Sequence, residues 1–211
     1  MKIEYVRERL GANAPDEANL PKEAHAAVAV VFREGCGRDG VDRKVPRSVE
    51  VLLIERAVRE GDPWSGHMAF PGGRMEDVDA SARVAAERET LEEVGVDLSG
   101  AEYLGRLDDI IGNPKTRPTL VVSAHAFYLE EDQRFQLDPS EVQSAFWFPL
   151  ADMLEQSRSV EYKISERPEM SYPGILVGLP ERHVVWGMTY HFLKDLMTVL
   201  GHDIPTSSTG S

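Results

Sequence analysis

Residues 72–96 read Gly72-Gly73-Arg74-Met75-Glu76-Asp77-Val78-Asp79-Ala80-Ser81-Ala82-Arg83-Val84-Ala85-Ala86-Glu87-Arg88-Glu89-Thr90-Leu91-Glu92-Glu93-Val94-Gly95-Val96, a glycine turn followed by one helix-length of acidic sequence. Paired glycines interrupt regular structure and let backbone approach a neighbour without Cβ obstruction. A helix is predicted over roughly residues 80–94, capped at its start by Asp79 or Ser81 and stopped at Gly95. At about 100° per residue, Ala80, Val84, Leu91 and Val94 gather into the stripe expected to face a core. Glu89, Glu92 and Glu93 stand nearly opposite, and Arg88 lies between the faces within reach of Glu92. Glu87 falls beside the apolar stripe, where the wheel gives no account of it.

Three carboxylates this close repel one another. Two unit charges about 6 Å apart cost roughly 3 kcal/mol at an effective dielectric near 20. A hard divalent cation such as Mg²⁺ reverses that sign, because it prefers carboxylate oxygens. A solvated acidic face is the ordinary explanation of the triplet taken alone. The glycine turn upstream, Arg88 and the Gly95 stop make a more specific constellation.

Outward from this helix the chain reads as alternating layers. Residues 26–32 and 49–54 are apolar runs of strand length, and 68–70 is a short strand running into Pro71 and the glycines. Further strands are expected over 103–111, 120–129 and 145–148, with an irregular or hairpin-like stretch over 156–182. A last helix over about 183–200 places Trp186, Tyr190, Leu193, Leu196, Met197 and Leu200 on one stripe. Strands on either side of a central helix imply an α/β fold, with helices packed on a mixed sheet. The expected organisation is an N-terminal arm over 1–24, one domain over 25–200 and a C-terminal tail over 201–211.

The 211 residues carry a net charge of −13, which excludes an electrostatic footprint for nucleic acid. The same charge would repel phosphates unless divalent cations intervene, and the glutamates supply a place for them. A single cysteine, Cys36, in a glycine-flanked loop excludes an internal disulfide and a cysteine-based zinc cluster within one chain. No apolar run is long enough to span a bilayer, and residues 1–5 lack a signal peptide's apolar core. A cytoplasmic setting is therefore the expectation, with no nucleic-acid or membrane partner and a homodimer left open.

The segment Arg88-Glu89-Thr90-Leu91-Glu92-Glu93-Val94-Gly95-Val96 resembles the second half of the Nudix box, G-x5-E-x7-R-E-U-x-E-E-x-G-U, with Thr90 departing at a bulky apolar position. Gly73, five residues and Asp79 resemble the first half, with Asp replacing Glu and eight residues instead of seven before Arg88. That Asp, the one-residue expansion and Phe70-Pro71-Gly72-Gly73 after Gly66 are similar to the coenzyme A diphosphatase branch of the Nudix hydrolases. Glu141-Val142, Phe146, Pro149-Leu150 and Val185-Trp186-Gly187-Met188-Thr189 look like its downstream landmarks. One departure stands out: the branch has an arginine four residues before the glycine matching Gly66, and here that position is Asp62.

The resemblance implies a Nudix-type α/β/α sandwich and a metal-dependent hydrolase that cleaves the diphosphate linkage of a nucleotide-like small molecule. Coenzyme A or an acyl-CoA is the leading substrate. ADP-ribose, NADH, a nucleotide sugar and a nucleoside triphosphate are the alternatives. By the same resemblance Glu89, Glu92 and Glu93 ligate Mg²⁺ or Mn²⁺, with the Gly73 carbonyl as a further candidate. Arg88 orients the glutamates. Glu92, Glu93 and Glu141 are all candidate general bases. Candidate substrate contacts are Arg56, Trp64, His67, Lys115 and Arg117. Four of these have a plainer explanation: packing for Trp64, ordinary hydrogen bonding for His67, and a solvated loop for Lys115 and Arg117; Asp79 reads as a helix cap more than as a metal ligand.

Two other classes remain open. A non-catalytic nucleotide-sensing module of this fold is expected to have damaged metal ligands, whereas all three glutamates are present. An isopentenyl diphosphate isomerase needs a suitably placed cysteine, and Cys36 lies well before the box.

Overall fold

The structure is a computed structural model that describes residues 1–18, 21–35, 48–61, 64–112, 120–164 and 167–207. Cys36, Asp62, Lys115 and Arg117 lie outside the described residues, as do 208–211 of the expected tail. The described elements begin with α1 (Ile3–Gly11), β1 (His25–Gly35), β2 (Ser48–Arg56), β3 (Met68–Ala69), β4 (Gly72–Arg74) and α2 (Ala82–Val94). There follow β5 (Glu102–Arg106), β6 (Ile110–Ile111), β7 (Val121–Tyr128) and β8 (Val142–Pro149). The chain continues with β9 (Ser159–Ile164), β10 (Arg167–Leu176), β11 (Val184–Trp186) and α3 (Gly187–Val199).

Alternate side chains of β1 serve two cores. Ala26, Val30 and Phe32 face one, and Ala27, Ala29 and Val31 face the other. In β2, Val51 and Leu53 join the first core while Leu52 and Ile54 join the second. A strand covered on both faces needs apolar residues at every position, which is why these segments read as continuous apolar runs. On one face sits α2, with Ala85, Ala86 and Val94. On the other sit α1, through Ile3, Val6 and Leu10, and α3, through Tyr190, Phe192, Leu193, Leu196 and Met197. The result is an α/β/α sandwich around a mixed sheet, in which β1 runs parallel to β7 and antiparallel to β2.

The pairing of β1 and β2 ends at Phe32 with Val51, and beyond it the two strands part. The segment 68–74 fills the opening as a wedge: β3 pairs with β2 (Ile54 with Ala69), and β4 pairs with β1 (Ala27 with Gly73, Val28 with Gly72). The Ala29 N–H donates to the Pro71 carbonyl between them at 2.9 Å. The glycines expected to interrupt regular structure therefore form a strand. Gly72, at φ +151°, is required there, since a Cβ would lie 2.6 Å from the Val28 Cα.

Other expectations change at their edges. The segment expected as an arm places α1 in the core. Residues 103–111 break into β5 and β6, with a register shift between Tyr103 and Gly105. The stretch 156–182 is mainly the β9–β10 hairpin, which with β11 makes a separate antiparallel sheet. The last helix starts at Gly187, so Trp186 ends a strand instead of riding the helix stripe. Among the described residues, no helix is long and apolar enough to cross a membrane.

The largest correction concerns α2. Of the expected stripe Val94 is buried, but Ala80, Val84 and Leu91 are exposed, and the helix buries Ala85, Ala86, Thr90 and Glu93 in their place. Small residues let it approach β1 and β4 closely, and Thr90 Oγ1 satisfies itself on the Ala86 carbonyl at 2.7 Å. Ser81, not Asp79, caps the helix by accepting from the Val84 N–H, and Gly95 ends it in the left-handed conformation. Glu87 now has an account: it accepts from Arg83 Nε at 2.7 Å, and Arg83 lies over the Tyr103 ring.

Candidate functional site

The rotation of α2 turns its acidic residues toward the wedge, and Arg88 organises them. Its Nε donates to Asp79 Oδ1 at 3.0 Å and its Nη2 to Asp79 Oδ2 at 2.9 Å. Nη2 also reaches the Arg74 carbonyl at 3.2 Å. Nη1 bridges Glu89 Oε1 at 3.1 Å and Glu92 Oε2 at 2.9 Å. A planar guanidinium offers donors in a fixed fork, so one anchored edge sets the direction of the other. Arg88 holds the buried Asp79 carboxyl below its ordinary range.

Glu93 enters the wedge itself. It is 3% exposed, and its Oε2 accepts the Gly72 N–H at 2.9 Å. Burial pushes its carboxyl up to about 8; the Gly72 amide opposes, Glu89 and Glu141 push further, and Arg56 opposes. Glu89 packs directly on Gly73, where a Cβ would lie 2.5 Å from the Glu89 Cδ. Burial raises the Glu89 carboxyl as well, with Arg88 pulling the other way. Glu92 is the outermost, its side chain 58% exposed.

Glu141 stands just before β8, where its carbonyl accepts the Ala57 N–H at 2.8 Å. Its carboxylate accepts from Arg59 Nη2 at 2.6 Å, and Arg59 Nε donates to the Ser140 carbonyl at 2.7 Å. The structure thus brings Arg56, Arg88, Glu89, Glu93 and Glu141 to one end of the sheet, with Glu92 at its rim.

A cavity of about 330 Å³ opens beside Gly72 and Gly73, between the wedge and the start of α3. Arg56, Trp64 and His67 line it, together with Phe70, Trp186 and Met188. Its walls also include Val28, Val122 and Phe192, so it is largely apolar away from Arg56 and Arg74. Trp186 is the centre of an aromatic cluster, 4.9 Å from His67, 4.9 Å from Tyr162, 5.4 Å from Tyr172 and 6.5 Å from Trp64, centroid to centroid. Sequence reasoning missed Tyr162 and Tyr172. The alternation Ser-Val-Glu-Tyr-Lys-Ile over 159–164 is a strand signal that would have placed Tyr162 on one face.

The available donors suit a hard divalent cation. Glu89, Glu92, Glu93 and the Gly73 carbonyl offer only oxygen, the ligand type Mg²⁺ and Mn²⁺ prefer. Glu93 is buried beside like charges, an environment that disfavours its anion and that a cation relieves. The missing Cβ of Gly73 leaves the Glu89 carboxylate room against backbone. Among the described residues, no three Asp, Glu, His or Cys side chains already stand around one ion-sized point. Arg88 Nη1 lies between Glu89 and Glu92, so drawing all three glutamates onto an ion takes side-chain rotation.

A family model for the NUDIX domain matches residues 23–167. An uncharacterized protein of Schizosaccharomyces pombe (strain 972) is 39% identical over 177 residues, covering 78% of this chain and 52% of its own length. The chain therefore spans about half the length of that relative. An Escherichia coli (strain K12) protein named as the uncharacterized Nudix hydrolase NudL is 32% identical over 151 residues, or 72% of this chain and 75% of its own. Among solved structures, a MutT/nudix family protein from Enterococcus faecalis superposes with a TM-score of 0.51 at 18% identity, covering 95% of this chain and 75% of that one. At that identity the likeness is one of fold.

Proposed function

Because this chain belongs to the NUDIX family, we propose that it is a metal-dependent hydrolase of the diphosphate linkage in a nucleoside diphosphate derivative, with coenzyme A or an acyl-CoA as its leading substrate. One observation carries the hydrolase reading. Asp79 locks Arg88, Arg88 spans Glu89 and Glu92, and Glu93 is buried against the Gly72 amide, all at the edge of a substrate-sized cavity.

Glu89, Glu92, Glu93 and the Gly73 carbonyl would hold Mg²⁺ or Mn²⁺, which supplies charge neutralisation at the diphosphate and lowers the pKa of a bound water. The remaining work falls to the chain. Arg88 keeps two of the glutamates aimed without touching substrate. Arg56, which lines the cavity, pairs with a phosphate oxygen. Glu141 is a candidate to accept the proton of the attacking water, alongside Glu92 and Glu93, and Arg59 holds it in place. Trp64 and His67 contact the substituents of the diphosphate from the cavity wall. Positioning and charge stabilisation account for most of the rate gain in such a site.

The substrate assignment rests on Phe70-Pro71-Gly72-Gly73, on the Asp79 variant of the box and on a cavity apolar enough for a pantetheine arm. The test is direct. Purified protein with Mg²⁺ is incubated with coenzyme A, acetyl-CoA, ADP-ribose, NADH, nucleotide sugars and nucleoside triphosphates, and product masses are read. The expected result is 3',5'-ADP and a phosphopantetheine product from the coenzyme A compounds. Turnover of another member alone removes the substrate assignment, and turnover of none removes the hydrolase.

A further inference from the structure

The second wall of the cavity is Trp186, at the end of β11, together with the start of α3, and a buried carboxylate ties the turn before β11 to the main sheet. Glu55 is 3% exposed, and it lies in β2 opposite Met68 of β3 and Ser144 of β8. Arg182 Nε donates to Glu55 Oε1 at 2.7 Å, and Arg182 Nη2 donates to Oε2 at 2.9 Å. Ser144 Oγ adds a bond to Oε2 at 2.8 Å, and His183 Nε2 stands 3.6 Å from the same oxygen. Such a two-pronged contact fixes orientation as well as distance.

Arg182 sits in the turn between β10 and β11. The Val177 N–H donates to the His183 carbonyl and the His183 N–H to the Leu179 carbonyl, each at 2.9 Å. Among the described residues Glu181 is the one non-glycine with positive φ, at 63°, a conformation L residues adopt reluctantly. It immediately precedes Arg182, so the backbone accepts local strain where the guanidinium is aimed at Glu55. Four residues after Arg182 comes Trp186, then Gly187, Met188 and Thr189, which form the cavity wall. On the opposite side, Arg56 follows Glu55 directly, and Met68 pairs with it; both line the same cavity.

We propose that the Glu55–Arg182 pair is a clasp that sets the gap between the two walls of the cavity, making both residues positioning groups for substrate binding instead of the chemical step. Neither reaches the acidic helix: Glu55 points to the face of the sheet opposite α2, since adjacent strand residues alternate and Ile54 faces α2. The clasp acts on the wall carrying Trp186, and loosening it costs affinity while leaving the glutamates as they are. This assignment rests on the cavity being the substrate site.

The experiment compares Glu55→Gln, Arg182→Ala, Arg182→Lys and the double variant Glu55→Gln/Arg182→Ala with the wild type. Amide hydrogen exchange over residues 184–189 is measured in the free protein. KM and kcat are measured on whichever compound the wild type hydrolyses. The clasp predicts exchange about tenfold faster in Glu55→Gln and Arg182→Ala. It predicts KM raised about tenfold with kcat within about twofold. Arg182→Lys should fall between, and the double variant should be no worse than the singles. Unchanged exchange at 184–189, or a loss of kcat at constant KM, overturns it. Should either single variant fail to fold, the double variant decides, because it removes the buried charge together with its partner and strands no ion at Glu55, which is 3% exposed. A wild type that hydrolyses nothing defeats the hydrolase reading instead, while exchange in the free protein still judges the clasp.

Discussion

Asp79 grips Arg88 by both edges of its carboxylate, at 3.0 Å and 2.9 Å, from a position 2% exposed. The residue resembling the first acid of the Nudix box thus acts on the site at one remove. Lys22 Nζ supports it from below, donating to the Asp77 carbonyl at 3.1 Å and to the Asp79 carbonyl at 2.6 Å. Asp79 Oδ2 also accepts the Glu76 N–H at 2.8 Å, which tightens the turn before α2.

Asp79→Asn should therefore damage stability and activity together. It removes one of three carboxylates around the Arg88 guanidinium, leaving Glu89 and Glu92, a loss of about 1.5 to 3 kcal/mol for charge-assisted hydrogen bonds. It also frees Arg88 to swing, so kcat should fall at least tenfold at temperatures where the protein stays folded. Thermal denaturation and steady-state kinetics check both. An Asp79→Asn enzyme with lowered melting temperature and normal kcat would show that Arg88 needs no anchor.

Glu92 and Glu93 separate stability from chemistry in different ways. Glu92 is exposed, so Glu92→Gln should leave the unfolding free energy within about 1 kcal/mol of wild type. Glu93 is buried with its carboxyl raised to about 8, so Glu93→Gln in metal-free protein should cost little or even stabilise. Both should lower turnover by about 2 to 4 orders of magnitude, the scale expected when a group acting mainly in the transition state is removed. Equal losses of stability and activity would assign these residues a structural role.

Gly73→Ala tests the close approach of Glu89. The added methyl would sit against the Glu89 carboxylate and drive it off the wedge. The expected outcome is a folded protein whose melting temperature no longer rises with added Mg²⁺, whereas the wild type gains about 2.7 kcal/mol at a hundredfold excess over Kd. An undiminished Mg²⁺ shift in Gly73→Ala would place the ion elsewhere.

His125 gives the fold a pH dependence independent of the site. It is 4% exposed, with Nδ1 3.1 Å from the Tyr103 hydroxyl and Nε2 3.2 Å from Ser123 Oγ. Burial, reinforced by Arg106, pushes its pKa down to about 4 from an ordinary 6.5. The unfolded chain therefore binds the proton more readily than the native state, and stability rises with pH through this window. The contribution is complete above about pH 6.5 and is lost as pH falls toward 4, amounting to about 3 kcal/mol. Denaturant titrations at pH 7.5 and pH 5 should show this slope, and His125→Gln should flatten it. An unchanged slope in His125→Gln would assign the acid sensitivity to carboxylates.

Local signals in the sequence carried much of this architecture. The apolar runs at 26–32 and 49–54 announce strands covered on both faces, and Gly95 ends α2 as its position demands. The spacing of Arg88 and Glu92 makes their contact legible before any fold is known. What failed was the choice of buried face on α2. A wheel sorts residues by polarity, but here the face against the wedge carries Glu93 and Thr90, while Val84 and Leu91 are left outside. The wedge was also illegible, because its pairing with β1 and β2 depends on contacts distant in sequence. Trp186 looked helical because its spacing continues the α3 stripe backward. Gly187, at φ +63°, breaks that continuity and hands Trp186 to the cavity.

The proposed hydrolysis requires a divalent ion drawn in by Glu89, Glu92 and Glu93. A crystal grown with Mn²⁺, with an anomalous difference map collected at the manganese edge, tests this most directly. The expected map has a peak bounded by oxygens of these glutamates, beside the Gly73 carbonyl and facing the cavity. A map with no peak there, at a manganese concentration that supports hydrolysis, would contradict it.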